Sequence, residues 1–167
     1  NVAPPPEEYY VLSPERLIIV PEFLESLRIA QELGYVSVIV TNQKCVHRGL
    51  ITMDGIDAIH AALRDAIEAD GLELLDIYAC PFGDGHPDRK PNPGMLLRAA
   101  REHHLDLTRS WMIGDSERDM QAGKAAGCAM NIFVNDHAQS QIADHSLTNM
   151  QALPAYLSRN LPRIPNL

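Results

Sequence analysis

Val36–Gln43 reads VSVIVTNQ, a run of β-branched apolar residues broken by one serine and followed by three polar residues. A segment this short and this apolar fits a strand covered on both faces. Its flanks say what kind of sheet it joins. Upstream, Glu22–Leu33 carries Phe23, Leu24, Leu27, Ala30 and Leu33 at helical spacing, with Gly34 just past the end. Downstream, Thr52 is placed to cap a helix bearing Ile56, Ile59, Leu63 and Ile67, which Gly71 closes. The alternation continues. Leu74–Ala79 reads as strand, and Asn92 as a cap with Pro93 at the first position of a helix running to about His104. Trp111–Ile113 reads as strand, Ser116–Ala126 as a helix ended by Gly127, Ala129–Val134 as strand and Met150–Leu157 as helix. Strands separated by helices of this length build βαβ units, so the expected fold is α/β, a three-layer, Rossmann-like arrangement with a mostly parallel sheet. Residues 1–16, with four prolines, are expected to form an extended lead-in.

The 167 residues hold 14 Lys and Arg against 22 Asp and Glu, a net charge of −8, and 46% are hydrophobic. That length predicts one domain over residues 1–167 with a core of its own. The apolar share argues against disorder along most of the chain. The acidic balance argues against nucleic acid or an anionic membrane as partner, and no apolar run reaches the ~20 residues of a membrane span. Cys45, Cys80 and Cys128 are odd in number and widely spaced, which fits the reducing cytoplasm better than a disulfide scaffold. A buried small thiol is the expected state of Cys45. A monomer or small homo-oligomer is equally compatible with these numbers.

In a doubly wound fold ligands sit outside the carboxyl ends of the strands, so polar residues there carry the chemistry. Three sets stand out. Thr41, Asn42 and Gln43 follow the first strand, where a hydroxyl, an amide and free backbone N–H groups can cradle an oxyanion, and Lys44, His47 and Arg48 add positive charge. A polar turn would use the same residues. Asp88–Gly94 (DRKPNPG) puts Arg89 and Lys90 near a helix start, Lys90 as a point charge for an anion and Arg89 as a bidentate fork. A solvated basic loop is the plainer alternative. Asp115 comes straight after an apolar strand and Gly114, a position suited to a hard cation such as Mg²⁺. Asp119 is either its supporting carboxylate or, with Ser116, part of a capping box.

Taken in order, Thr41-Asn42-Gln43, Arg89-Lys90-Pro91 and Gly114-Asp115-x-x-x-Asp119 resemble the second, third and fourth motifs of the haloacid-dehalogenase-like phosphohydrolase superfamily. Arg48-Gly49, Cys80-Pro81, RKPNPGML and MIGD-x-x-x-DM are closer still to the branch that contains the heptose-bisphosphate and histidinol phosphatases, over about Tyr10 to Val134. The resemblance implies a phosphatase without a large cap domain, acting on a small phosphorylated metabolite, foremost heptose 1,7-bisphosphate. It implies an aspartyl-phosphate intermediate, Asp115 as Mg²⁺ ligand with Asp119 in support, and Lys90 as the cation on the transferring phosphoryl group. Thr41, Asn42 and Gln43 become its oxyanion contacts, and Arg48 and Arg89 substrate-side cations. Histidinol phosphate, a polynucleotide 3′-phosphate, or a non-catalytic binding role for the same fold are the alternatives.

The pattern departs from the family twice. The first motif, Asp-x-Asp, is absent; Met53–Asp57 (MDGID) has the wrong spacing, and Asn1 resembles the residue that trails the motif, so the chain reads as truncated on its amino side and, as given, inactive. The family's zinc ligands are also missing. Cys80 remains, Phe82 stands where a histidine is usual, and His86 alone could join it, so no zinc is expected and Gly83, Pro87 and loop hydrogen bonds are expected to hold the segment.

Overall fold

The computed structural model describes residues 2–3 and 10–165; the remainder of the expected lead-in, Asn1 and residues 4–9, lies outside the described residues. What is described of the lead-in is more structured than an extended arm. Strand β1 (Val2–Ala3) pairs antiparallel with β2 (Ile18–Ile19), and Pro14–Arg16 forms a turn of 3₁₀ helix.

Helix α1 (Pro21–Glu32) leads to β3 (Val38–Asn42), the four-residue α2 (Lys44–His47), α3 (Met53–Ala69) and β4 (Asp76–Cys80). The Thr52 hydroxyl accepts from the Gly55 N–H at 3.2 Å, the expected cap of α3. β3 begins two residues later than its apolar run suggests, because its register is set by β4. Val38 lies opposite Asp76 and Asn42 opposite Cys80, so the polar Thr41 and Asn42 are drawn into the ladder and Val36 is left 60% exposed. Beyond a loop come α4 (Gly94–His103), β5 (Trp111–Gly114), α5 (Glu117–Ala126), β6 (Met130–Val134), β7 (His145–Leu147) and α6 (Ala152–Asn160). Pro93, not Asn92, is the N-cap of α4. Asn92 instead donates from Nδ2 to the His86 carbonyl at 2.9 Å, and the Gly94 N–H is taken by the Pro87 carbonyl at 3.1 Å, so the first turn begins one residue late. α6 starts two residues after the expected Met150 because Asn149 Oδ1 accepts from the Ala152 N–H.

β3 and β4 are parallel, and β5, β6 and β7 form a second parallel ladder. Helices cover both faces. Leu27 of α1 and Leu63 and Ile67 of α3 pack on Ile39 and Ile77, and α6 places Leu153 and Leu157 against Ile132 and Val134 on that same side. On the other face Met95 and Ala99 of α4 meet Val38, Val40 and Tyr78, and Met120 of α5 meets Met112 and Phe133. Only α2 and α3 stand between β3 and β4, so no large cap is inserted there.

The two ladders meet at β3 and β5, where Val40 packs into the cluster of Met112 and Phe133. Gln43 N–H donates to the Cys80 carbonyl at 2.8 Å, so the odd-numbered residues of β3 bond to β4 and the backbone groups of Val38, Val40 and Asn42 face away from it. Among the described residues no strand takes that edge. No β3 residue is fully buried, and Ile113 in mid-β5 is 37% exposed, whereas β6 buries four of its five residues.

Candidate active site

The carboxyl ends of β3 and β5 are tied together through Lys90. Its backbone is held by Asn42: the Lys90 N–H donates to Oδ1 and Nδ2 donates to the Lys90 carbonyl, each at 3.0 Å. Its ammonium donates to the Val40 carbonyl on the free edge of β3 at 2.7 Å and lies 2.7 Å from Asp119 Oδ1. The two side chains are only 12% and 8% exposed, so this is a buried ion pair. The other oxygen of Asp119 accepts from the Ser116 N–H at 3.1 Å, completing a capping box at the start of α5. One Asp119 oxygen thus realises the capping-box reading, while the other is engaged with Lys90. Gly114 makes room for it: a Cβ there would lie 2.4 Å from the Asp119 Cβ.

Asp115, exposed as a residue, sits beside this pair just past the end of β5. The protein mass beneath it and then the Asp119 charge push its carboxyl above the ordinary range, against the pull of Lys90. Such a carboxylate gains from a cation. No cluster of three or more His, Cys, Asp or Glu that could hold a metal exists among the described residues. The chemistry of the donors present, the Asp115 carboxylate beside that of Asp119, suits an ion that takes one or two carboxylates and completes its octahedron with water and substrate oxygen, as Mg²⁺ does. Asn135, not foreseen from the sequence, anchors the loop by donating from Nδ2 to the Asp115 carbonyl at 2.9 Å.

Thr41 Oγ1 accepts from Gln43 Nε2 at 3.2 Å, which leaves the threonine proton free to donate elsewhere. Gln43 Oε1 in turn faces the buried Cys45 thiol at 3.4 Å, and burial pushes that thiol up. Arg89 is buried; its Nε donates to Asp84 Oδ1 at 2.9 Å and Nη1 to the Phe82 carbonyl at 3.3 Å. Asp84 also meets Lys44 Nζ at 3.3 Å. A cleft of about 280 Å³ opens here, lined by Asp84, Gly85, Arg89, Lys90, Asn92 and Arg118 among others. Arg48 is not part of it; it is exposed at the end of α2, with its guanidinium 5.9 Å from the centre of the Tyr10 ring. Asp84 and Arg118 were not singled out as site residues in the sequence, since their partners in the cleft come from other segments of the chain. Cys80 Sγ lies 3.9 Å from His86 Nδ1, which accepts from the Asp88 N–H at 3.1 Å while Phe82 stacks on the ring.

The model of the HAD-hydrolase-like family matches residues 88–161. The chain is 32% identical over 149 residues to the D-glycero-alpha-D-manno-heptose-1,7-bisphosphate 7-phosphatase of Burkholderia mallei, covering 82% of this chain and 77% of that protein. It is 37% identical over 129 residues to the D-glycero-beta-D-manno-heptose-1,7-bisphosphate 7-phosphatase of Rhodopseudomonas palustris, covering 72% of each. Against a Mesorhizobium japonicum relative it spans 65% of the other protein's length. Among solved structures, the D,D-heptose 1,7-bisphosphate phosphatase of B. bronchiseptica, complexed with magnesium and phosphate, superposes with a TM-score of 0.80 at 28% identity over 95% of this chain and 93% of that one.

Proposed function

Because the chain belongs to the haloacid-dehalogenase-like hydrolases, in their heptose-bisphosphate phosphatase branch, we propose that it carries the phosphate-binding and metal-binding side of a magnesium-dependent phosphatase of a small phosphorylated sugar, heptose 1,7-bisphosphate foremost. The observation that carries this is the Lys90–Asp119 pair at 2.7 Å, set beside Asp115 where β3 and β5 end. Phosphoryl transfer asks the protein chiefly for position and charge neutralisation. Lys90 supplies a fixed positive charge, aimed by Asn42 from below and by Asp119 from the side. The Thr41 hydroxyl donates to a phosphoryl oxygen. Asp115 holds Mg²⁺, which when bound acts as the Lewis acid on the transferring group. Arg89 faces the second phosphate of the sugar. The attacking carboxylate of an Asp-x-Asp motif is not among these 167 residues. No helix among the described residues is long and apolar enough to cross a membrane, and the three cysteines are unpaired, which supports work in the cytoplasm.

The test is the chain joined at its amino end to a strand finishing in Asp-x-Asp. Mg²⁺-dependent phosphate release from heptose 1,7-bisphosphate is expected, and Lys90→Met should lower kcat by ~10²–10³, the usual cost of removing one fixed charge donor. No phosphate released from any sugar phosphate with that strand in place refutes the reading.

A further inference from the structure

Asp84 is an unusual counter-ion for Arg89. The arginine side chain is 4% exposed and the aspartate 72%, and this is Arg89's one ion pair among the described residues. A guanidinium taken out of water requires an anion beside it. An exposed carboxylate satisfies that need only weakly, because solvent competes for it. Asp84 stands between Gly83 and Gly85 in the loop before Arg89 and spans from Arg89 Nε to Lys44 Nζ, on two separate elements. Around it the cleft presents Arg89, Lys90 and Arg118 against this single acid. The buried cation is permanent, and its partner is replaceable.

We propose that Asp84 is an exchangeable counter-anion, displaced from Arg89 and Lys44 when a phosphate dianion enters the cleft. The dianion offers more charge and a better match to the guanidinium fork than one carboxylate does. A hydroxyl or other neutral group cannot make the exchange, so Asp84 selects ligands that carry a second phosphate away from the reacting one. The ligand assignment rests on the phosphatase reading above; the exchange itself rests on the Asp84, Arg89 and Lys44 geometry alone.

The test follows the Arg89 Nε–H signal by NMR, with calorimetry, while inorganic phosphate or fructose 1,6-bisphosphate is added to the chain and to Asp84→Asn. Both ligands should move that signal. Asp84→Asn should tighten their binding about two- to tenfold, the release of one or two ion pairs whose carboxylate is exposed. Lys44→Gln, a change at a half-exposed position, should weaken binding. Unchanged or weaker phosphate affinity in Asp84→Asn, or an unmoved Arg89 signal, overturns the exchange. A signal moved by inorganic phosphate but not by the bisphosphate overturns its role in selecting substrate. Phosphate release enters neither readout, so failure of the phosphatase assay and failure of this exchange are seen separately.

Discussion

Lys90→Met keeps the aliphatic stem and removes the ammonium, and its cost follows from what that ammonium touches. Asp119, 8% exposed, would lose its cation at 2.7 Å and keep only the Ser116 N–H, and the Val40 carbonyl would lose its donor. Removing one partner of a buried pair strands the other charge and typically costs ~3–5 kcal/mol. Against a total stability of ~5–15 kcal/mol that is a large fraction, and at ~2–4 °C per kcal/mol for a chain of this size the melting midpoint should fall by roughly 6–20 °C. Adding Asp119→Asn removes the stranded charge, so the double variant should be more stable than Lys90→Met alone, with a coupling above ~1.5 kcal/mol in the double-mutant cycle. Urea unfolding at neutral pH, followed by circular dichroism, measures all four corners. A single-variant cost below ~1 kcal/mol, or costs that simply add, would refute the claim that this pair joins the ends of β3 and β5.

Two further outcomes follow from the same geometry. Gly114→Ala places a Cβ 2.4 Å from that of Asp119, so the capping box or the end of β5 must shift; a loss of ~1–3 kcal/mol is expected in thermal melts, and a neutral result would show that Asp119 is not fixed there. His60 on α3 is held below its ordinary value, first by burial and then by Arg64, against the pull of Asp57. Its folded-state value thus lies below its unfolded one. The stability it contributes is present above ~6.5 and is lost as the pH falls toward the folded value. His60→Leu should flatten the fall in the urea midpoint between pH 7 and pH 5.5, and an unchanged slope would sink this assignment.

The helices with a strong apolar period, α1 and α3, were legible because one face of each must be buried, and α5 because Ser116 and Gly127 bracket it. β7 and α2 were not: three residues of mixed polarity and a four-residue turn carry no period to read. Strand-end residues were legible as site candidates because Asp115 or Lys90 at such a place serves no core. Their division of labour was hidden. Asn42 reads as an oxyanion contact, yet both its polar atoms are engaged with the backbone of Lys90, 48 residues away, and no local pattern encodes that distance. Asp119 left two readings open because one carboxylate has two oxygens; one caps α5 and the other pairs with Lys90, 29 residues back in the chain. Asp84 escaped notice for a related reason: its partner Lys44 is 40 residues distant.

The edge of β3 that faces away from β4 has a kinetic consequence. Val38 and Val40 lie in a parallel strand packed between helices, a setting where amides ordinarily resist exchange with solvent until the whole domain opens. Their N–H groups point toward no strand among the described residues, so in deuterated water they should be labelled on the time scale of loops, while those of Ile132 and Phe133 in β6 stay dark. The same edge, open except where the Val40 carbonyl accepts from Lys90 and flanked by the half-uncovered Ile113, is a ready template for any extended segment that reaches it. A strand seated there would announce itself first as silence in the Val38 and Val40 exchange signals, before any chemistry is measured.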